Sequence, residues 1–384
     1  KSFFNIKPII KVEEIELLKN LHLSSRNYSK NNYSEYLKNI LLKLYSSKTK
    51  EELVSNVFEN LTLNGLNGPV EFSAFPDMED SDINILHLDY GGLGLPDKSY
   101  YFDNEKKDIL DEYKKFMKKY LLLFRNDITD QNINDIFEFE KRLAYKSYSN
   151  VEKRDPNNLN NPTDYNNLIS QFKFIGLNEF NKYISKQPFF KGKKLDKINV
   201  SNIRFLKEYE NLFTNTNLNI LIDYFIWIFL MQVGSYLNED VCKTRFDFYG
   251  SVMGGTKKIN ERWERVVDLE SNLLGDIISK IYVKVYFSEE SKVKAYELVN
   301  LVKDKFKDRL IKNEWMSNKT KKNAVLKLDN MNLKMGYPDK FINYEIIYGK
   351  LDSKNSFLQN SLICKKFLFF EDIRYLYLPK DKDK

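Results

Sequence analysis

The sequence is poor in cysteine and histidine, the residues that form disulfides and bind transition metals. Its 384 residues include two cysteines, Cys242 and Cys364, and two histidines, His22 and His87. So few cysteines exclude a disulfide framework, which indicates either a reducing compartment or a secreted protein without bridges, and the compartment stays open. Both thiols are interpreted as small, buried or half-buried hydrophobic side chains.

The histidines do not form a recognisable metal motif. A catalytic zinc ion needs three protein ligands, commonly with two histidines at helical spacing. No H-E-x-x-H occurs, and His22 and His87 lie 65 residues apart, so each is interpreted as an ordinary structural residue. The two cysteines do not complete a site by spacing, and no G-x-S-x-G motif accompanies a histidine. We therefore assign no catalytic, cofactor-binding or metal-ligating residue to this chain.

Arginine is scarce among the charged residues. The chain has 61 basic and 54 acidic residues, a net charge of +7, and only ten arginines. Proteins that bind nucleic acid usually concentrate positive charge and use arginine for bidentate contacts. The charges here are interspersed, so we interpret the lysines as solvated surface and predict no nucleic-acid partner. A helical scaffold or a nucleic-acid binder remains an alternative that rests on charge alone.

No apolar run is long enough to span a bilayer. The most apolar stretch, ILIDYFIWIFLMQV (220–233), is shorter than a membrane span and contains Asp223, so it predicts a buried helix and no transmembrane segment. The chain begins at Lys1 without a signal-like opening, and we expect its N-terminus to be trimmed.

Helical periodicity is the main pattern that is present. Apolar residues recur at spacings of three and four along most of the chain. Thr49 and Ser288 are predicted N-caps, with Glu52 at the capping-box position, and Gly65 is a predicted helix stop. The predicted helices cover residues 13–21, 33–45, 49–65, 104–124, 130–147, 164–186, 201–214, 217–237, 266–286, 288–313 and 318–336.

A few segments depart from this pattern. VEFSAFPDMEDSDINILHLDY (70–90) alternates apolar and polar residues around a turn, which predicts a hairpin or two short strands. Prolines and asparagines predict a loop at 151–167, and YGSVMGGTKKINERW (249–263) is interpreted as a second loop. The predicted fold class is mainly α, a large multi-helix lobe with a small β-hairpin or short strands near residues 70–90.

The stretch GGLGLPDKSYYF (91–102) raises the question of a phosphate-binding loop. A Walker loop needs Lys and Ser or Thr directly after its second glycine, and a dinucleotide loop needs a parallel βαβ unit. Here the glycines run into LPD, and Asp97 would repel a phosphate. We predict a tight chain reversal, with glycine at positive φ, Pro96 fixing the next step, and Asp97 or Ser99 capping the segment after it. The reversal would direct the tyrosine pair 100–101 into the helical core.

The stretch ERWERVVDLE (261–270) groups Arg262, Trp263 and Arg265. It is interpreted as a tryptophan packed under two arginine stems. Charged stretches such as KKDILDEYKKFMKK carry i, i+4 pairs and are interpreted as solvated helix faces.

Several blocks, taken in order, resemble the neprilysin and endothelin-converting-enzyme family of zinc endopeptidases. GLGLPDKSYY (92–101), preceded by FSAFPDMEDSDINILHLDY, matches the family's G-L-G-L-P followed by Y-Y, and IFEFEKRLA (136–144) resembles its -EFE-x-x-LA helix. DFYGSVMGG to YVKVYF (247–287) and EWMSNKTKKNAVLKLDNMNLKMGYPDKF (314–341) resemble two later blocks. The resemblance spans roughly residues 35 to 375.

Two departures from the family pattern bear on function. The family's cysteine after R-W is Val266 here, which looks more like the bridge-free microbial relatives. The family's zinc segment lies in its C-terminal part, and this sequence ends at LPKDKDK, about where that part would begin. We therefore expect an N-terminal portion of a longer peptidase, which would be inactive alone.

The resemblance implies peptide hydrolysis by a zinc-activated water, with a glutamate as general base, in the full-length enzyme. It implies that residues 35–384 form a helical lobe over an internal cavity, that residues 1–34 form a connecting region, and that the zinc-binding catalytic domain is absent from this chain. The expected partners are a peptide substrate and that C-terminal catalytic domain, with zinc held there and none held by this chain. Family members are often membrane-anchored ectoenzymes or secreted. The alternative is a non-catalytic, degenerate relative that acts as a peptide-binding or interaction module.

Overall fold

The structure, a computed structural model, describes residues 9–26 and 30–379 and is mainly helical. This confirms the predicted fold class. The α-helices of the described residues are α1 (Val12–Arg26), α2 (Lys30–Tyr45), α3 (Lys50–Asn60), α4 (Ser99–Phe102), α5 (Lys107–Leu121), α6 (Asp130–Lys146), α7 (Pro156–Leu159), α8 (Tyr165–Gln171), α9 (Leu177–Ile184), α10 (Ile203–Asn215), α11 (Leu218–Val233), α12 (Glu239–Arg245), α13 (Arg262–Tyr286), α14 (Glu289–Lys312), α15 (Asn318–Asp329) and α16 (Phe357–Ile373).

The strands predicted near residues 70–90 form a hairpin. β1 (Val70–Pro76) pairs antiparallel with β2 (Asn84–Tyr90) over its full length. Two short strands that were not predicted, β3 (Pro162–Asp164) and β4 (Lys197–Val200), extend the sheet in the order β1-β2-β4-β3, with β2 and β4 parallel. Strands of three or four residues are too short to show an alternating pattern in the sequence.

The loop predicted for residues 151–167 is therefore wrong in part, because α7 and β3 lie inside it. Its polar side chains build these elements. Asp155 caps α7 by accepting a hydrogen bond from the Asn157 amide at 3.0 Å, and the Asn161 amide donates to the Asn199 side chain of β4 at 2.7 Å. Asparagine and aspartate favour caps as well as loops, since both use their side-chain oxygens locally.

The predicted helix ends are largely confirmed. Thr49 accepts a hydrogen bond from the Glu52 amide at 3.1 Å, Ser288 caps α14, and Gly65 ends the turn after α3 at a φ of 60°. The capping box is not closed, because the Glu52 carboxylate accepts from the Lys48 amide at 2.8 Å instead of that of Thr49.

Three predicted segments differ from the structure. The helix predicted for 164–186 is two helices, α8 and α9, separated by Gly176 at a φ of 75°, which a continuous helix cannot contain. The helix predicted for 318–336 ends with α15, before Gly336. The predicted loop 249–263 overlaps a π-helix over Phe246–Met253, whose wider turn leaves no i, i+4 apolar pattern to recognise.

Helix α11 is buried on nearly all sides, which confirms the buried helix predicted there. Tyr224, Trp227 and Phe229 are among its fully buried side chains. Within the described residues, the segment Leu218–Tyr236 has the length and apolar composition of a membrane span, a test that the core helix of a folded protein also passes, and 61% of it is buried.

The described chain forms two compact units that are each discontinuous in sequence. The first contains residues 9–18 and 270–348, and the second contains residues 19–26, 30–269 and 349–379.

A buried ion pair joins the two segments of the first unit. The Lys280 ammonium lies 2.5 Å from the Glu14 carboxylate, and both side chains are at least nine-tenths buried. The second oxygen of Glu14 accepts from the Lys11 amide at 3.1 Å. A charge buried this deeply is stable only when it is paired and hydrogen-bonded, so this contact ties α1 to α13 within the unit.

Candidate functional site

The glycine-rich turn 91–97 connects β2 to α4, and tyrosine side chains hold its backbone. Tyr224 of α11 donates a hydrogen bond to the Gly92 carbonyl, and Tyr249 of the π-helix donates to the Gly94 carbonyl, both at 2.7 Å. Gly92 has a φ of 73°, as predicted for a chain reversal.

Two amide groups of the turn also have hydrogen-bond partners within the protein. The Gly91 amide donates to the Pro69 carbonyl at 3.3 Å, and the Leu95 amide donates to the Tyr101 hydroxyl at 3.1 Å. A phosphate loop presents free N–H groups to its anion. The structure therefore confirms a chain reversal at this stretch, and these two amides donate to protein acceptors.

The residues after the turn agree with the prediction in part. Asp97 accepts a hydrogen bond from the Ser99 amide at 2.8 Å, but the N-cap position of α4 is Lys98, so Asp97 closes the turn one residue before the helix and does not cap it. Tyr101 enters the core, whereas Tyr100 is half-buried and its ring lies 3.8 Å from the Lys106 ammonium. The expectation that both tyrosines enter the core is thus wrong for Tyr100.

A buried glutamate, Glu140 of α6, lies behind the turn. It accepts hydrogen bonds from Tyr101, from Tyr113 at 2.9 and 3.1 Å, and from the Trp227 indole at 3.2 Å. The Gly94 amide is a further donor to it. We call Glu140, these three side chains and the Gly94 amide the Glu140 cluster, which joins α4, α5, α6 and α11 to the glycine turn.

Burial shifts the pKa values of the titratable groups in the Glu140 cluster. Burial raises the pKa of Glu140, while its hydrogen bonds from the two tyrosines, Gly94 and Trp227 oppose that rise. Burial also raises the pKa values of Tyr101 and Tyr113 well above those of exposed tyrosines, and the Glu140 charge adds to the effect. Because both carboxylate oxygens already accept hydrogen bonds, the cluster positions the backbone and offers no free base to a substrate.

Sequence reasoning missed Glu140 although a signal was present. The apolar face of α6 contains Ile133, Ile136, Phe137 and Leu143, and Glu140 falls on the same face at helical spacing. A carboxylate at a core position requires buried donors, so the interrupted pattern predicts a buried polar cluster without identifying its partners.

The two histidines and two cysteines do not come together. His22 lies on α1, and the buried His87 lies on β2, 3.2 Å from the Asn199 amide nitrogen. Cys242 and Cys364 are buried free thiols, as interpreted from the sequence, and burial raises the pKa of Cys364 to about 12.

The resemblance implies zinc in a C-terminal domain and none held by this chain. Residues 9–26 and 30–379 contain no group of three His, Cys, Asp or Glu side chains arranged to hold a metal ion.

The arginines of ERWER have partners other than the neighbouring tryptophan. Arg265 lies 2.5 Å from the Glu239 carboxylate, and Arg262 donates to the Ser25 carbonyl at 3.1 Å. Trp263 is 66% exposed. The predicted packing of Trp263 under two arginine stems is therefore wrong, because the guanidinium groups turn towards Glu239 of α12, which supplies the opposite charge.

Two depressions in the second unit have no residue of the glycine turn 91–97 in their lining. A shallow one of about 410 Å³ is lined by polar side chains that include Lys207, Glu210 and Asn215. A small apolar one of about 70 Å³ lies beside Arg125 and Asp223, which form an ion pair at 2.6 Å.

Comparisons with known proteins show which family this chain is similar to. A family model for the N-terminal part of peptidase family M13 matches residues 11–338. The neutral endopeptidase of Lactococcus lactis subsp. lactis is 26% identical over 325 residues, which cover 84% of this chain and 50% of that protein. Neprilysin-2 of Drosophila melanogaster is 26% identical over 300 residues, covering 74% of this chain and 38% of that protein.

Solved structures share the same fold. The zinc metalloprotease Zmp1 of Mycobacterium tuberculosis in its open state superposes with a TM-score of 0.83 at 21% identity, covering 98% of this chain and 58% of that chain. PepO of Lactobacillus rhamnosis gives a TM-score of 0.80 at 19% identity, with coverage of 97% and 59%. The chain thus spans about half the length of the first curated relative.

Proposed function

The chain belongs to peptidase family M13 as the N-terminal region of a neprilysin-like peptidase, and on that premise we propose that it forms the helical lobe of a zinc endopeptidase. In this proposal residues 35–384 wall the cavity that receives a peptide substrate, and residues 1–34 are a connecting region. The metal ligands and the catalytic groups would belong to a C-terminal domain of the same protein, outside residues 1–384.

The family match carries this proposal. It covers residues 11–338, so it includes most of both compact units and nearly every block that resembles the family. The curated relatives continue well beyond the matched half. A longer protein of the same plan would supply the metal site that the described residues do not offer.

The contribution of this chain's own residues would be a rigid wall. The Glu140 cluster and the tyrosines that hold Gly92 and Gly94 fix the turn between the sheet and four helices. A wall that selects substrates by size must hold its shape when a peptide binds, and a fully hydrogen-bonded buried cluster provides that rigidity.

The test is to express the complete open reading frame that contains residues 1–384. We expect the purified protein to contain zinc by mass spectrometry, and to cleave a short unstructured peptide. A chelator should abolish cleavage, and added zinc should restore it. The matched control is residues 1–384 alone, for which we expect no cleavage.

The same experiment separates the alternative. A complete protein that binds the peptide in a fluorescence assay, but neither holds zinc nor cleaves, would indicate a binding module in place of a peptidase. An open reading frame without an H-E-x-x-H segment would also favour the binding module.

A further inference from the structure

Helix α14, which lies wholly within the first unit, carries an apolar stripe that its own unit leaves uncovered. Leu298, Leu301, Val302 and Phe306 are between 51% and 63% exposed. Their spacings of three, four and eight residues place them on one face of the helix. Folded proteins scatter single exposed apolar residues over their surface, whereas a contiguous stripe of large ones marks a binding surface.

A different face packs α14 onto its own unit. Tyr296 donates a hydrogen bond to the Leu333 carbonyl at 3.1 Å, and the buried Lys292 donates to the Tyr337 carbonyl at 3.0 Å. Leu310 is buried on this side as well. The stripe is therefore a second apolar surface and not the exposed edge of the packed one.

The charges beside the stripe favour an apolar occupant. Lys294 pairs with Glu290 at 2.6 Å, and Lys305 lies 3.9 Å from Asp308. Because basic and acidic side chains alternate there, the stripe has no strong field of one sign that would attract a polyanion.

The end of α13, in the same unit, adds apolar surface. Tyr282, Val285 and Tyr286 are each more than half exposed. Exposure of these apolar side chains to water is unfavourable, and a surface that covers them would stabilise the unit.

We propose that the stripe Leu298–Leu301–Val302–Phe306 is the surface on which the part of the protein beyond Lys384 docks. This inference rests on the proposed function. Its occupant is the C-terminal domain of the same polypeptide, because the family relatives have about as much chain again as the matched half. An interface that holds two domains of one chain in a fixed arrangement is expected to be apolar, and the exposed side chains of this stripe are apolar.

The test is side-chain footprinting of the complete protein with a diffusible radical. Val302 is compared with Val151, and Phe306 with Phe75, because Val151 and Phe75 are exposed residues of the same types in the second unit. We expect Val302 and Phe306 to be labelled several-fold less than these references. Equal labelling overturns the proposal. Labelling that rises on dilution shows a second copy on the stripe and also overturns it.

A matched pair of variants makes the test specific. Leu301→Asp places a charge in the stripe, and Asn300→Asp places the same side chain at the adjacent position. In the complete protein, Leu301→Asp should raise labelling of Val302 and Phe306 several-fold, with Val151 unchanged as evidence that the second unit stays folded. Equal effects of the two variants would contradict a docked stripe.

Failure of this inference and failure of the proposed function give different results. A complete protein that cleaves peptides while Val302 stays fully labelled refutes the docking surface alone. A complete protein that protects Val302 but holds no zinc and cleaves nothing refutes the peptidase function and leaves the docking surface in place.

Discussion

The hydroxyl of Tyr113 lies 2.9 Å from one carboxylate oxygen of Glu140 and 3.1 Å from the other. Both residues are fully buried, one on α5 and the other on α6. The position that a Cβ atom would take on Gly94 overlaps the same hydroxyl. Gly94, in the stretch GLGLPDKSYY that resembles the family, must therefore be glycine because of Tyr113, nineteen residues later. Any side chain at position 94 would occupy the place of the Tyr113 hydroxyl and its hydrogen bond.

Removing one hydroxyl of the Glu140 cluster should destabilise the second unit. Tyr101→Phe leaves the Leu95 amide without its acceptor and takes one donor from Glu140, so we expect a loss of about 1–3 kcal/mol. Urea denaturation followed by tryptophan fluorescence measures it. Tyr100→Phe is the control, since the neighbouring tyrosine is half-buried, and its effect should stay within about 0.5 kcal/mol. Equal losses would show that the cluster is not the cause.

Gly94→Ala should destabilise the protein by steric conflict. The added methyl group would overlap the buried Tyr113 hydroxyl, and overpacking of this kind costs about 1–3 kcal/mol. The cost should fall in a Tyr113→Phe background, because part of the conflict is removed, and the double-mutant cycle measures this coupling. Gly275→Ala is the control, since nothing lies within 4 Å of its added Cβ position. A Gly94→Ala protein as stable as the Gly275→Ala protein would contradict the prediction.

Breaking the Glu14–Lys280 pair should lower the free energy of unfolding strongly, whereas replacing both residues should lower it much less. Glu14→Gln leaves a buried ammonium without its counter-charge, which costs about 3–5 kcal/mol. The double variant Glu14→Gln with Lys280→Met removes the charge as well and should recover most of that loss. The thermal midpoint of each variant checks the order. A double variant less stable than Glu14→Gln alone would show that the pair is not the source of the loss.

Stability should fall as pH rises from mildly acidic to neutral values because of Glu71. Burial, with a smaller contribution from the opposed Asp89 carboxylate on β2, raises the pKa of Glu71 from 4.5 to about 7. The folded protein thus holds a proton that the unfolded chain releases at lower pH. The contribution of Glu71 to the free energy of unfolding is therefore fully present below pH 4.5 and is lost between pH 4.5 and about 7. The loss is on the order of 1–3 kcal/mol.

The variant Glu71→Gln tests this sign. It should flatten the pH dependence of the urea midpoint and should be more stable than the parent at alkaline pH. Glu59→Gln, which removes one exposed carboxylate of α3, should leave the slope unchanged. A parent protein whose midpoint rises from mildly acidic to neutral pH would contradict the assignment.

The helices could be predicted because their apolar residues repeat within a few turns, and the hairpin because its strands alternate over seven residues each. The partners of Glu140 could not be predicted. Tyr101 precedes it by 39 residues and Trp227 comes 87 residues after it, and no local pattern connects positions so far apart. Nor could periodicity show which apolar face of α14 is covered, because Tyr296 and Leu298 belong to the same amphipathic repeat and only packing distinguishes them.

The first unit is assembled from residues 9–18 and residues 270–348, and the distance between these segments along the chain sets the order in which the unit can fold during synthesis. Glu14 and Lys280 are 266 residues apart. A ribosome that adds about 5–20 residues per second needs roughly 10–50 s to cover that distance. During that time the carboxylate of Glu14 is without its partner, while the segment that forms most of the second unit is synthesised. A chaperone that binds α1 would therefore act before Lys280 emerges, because α1 packs against α13 afterwards.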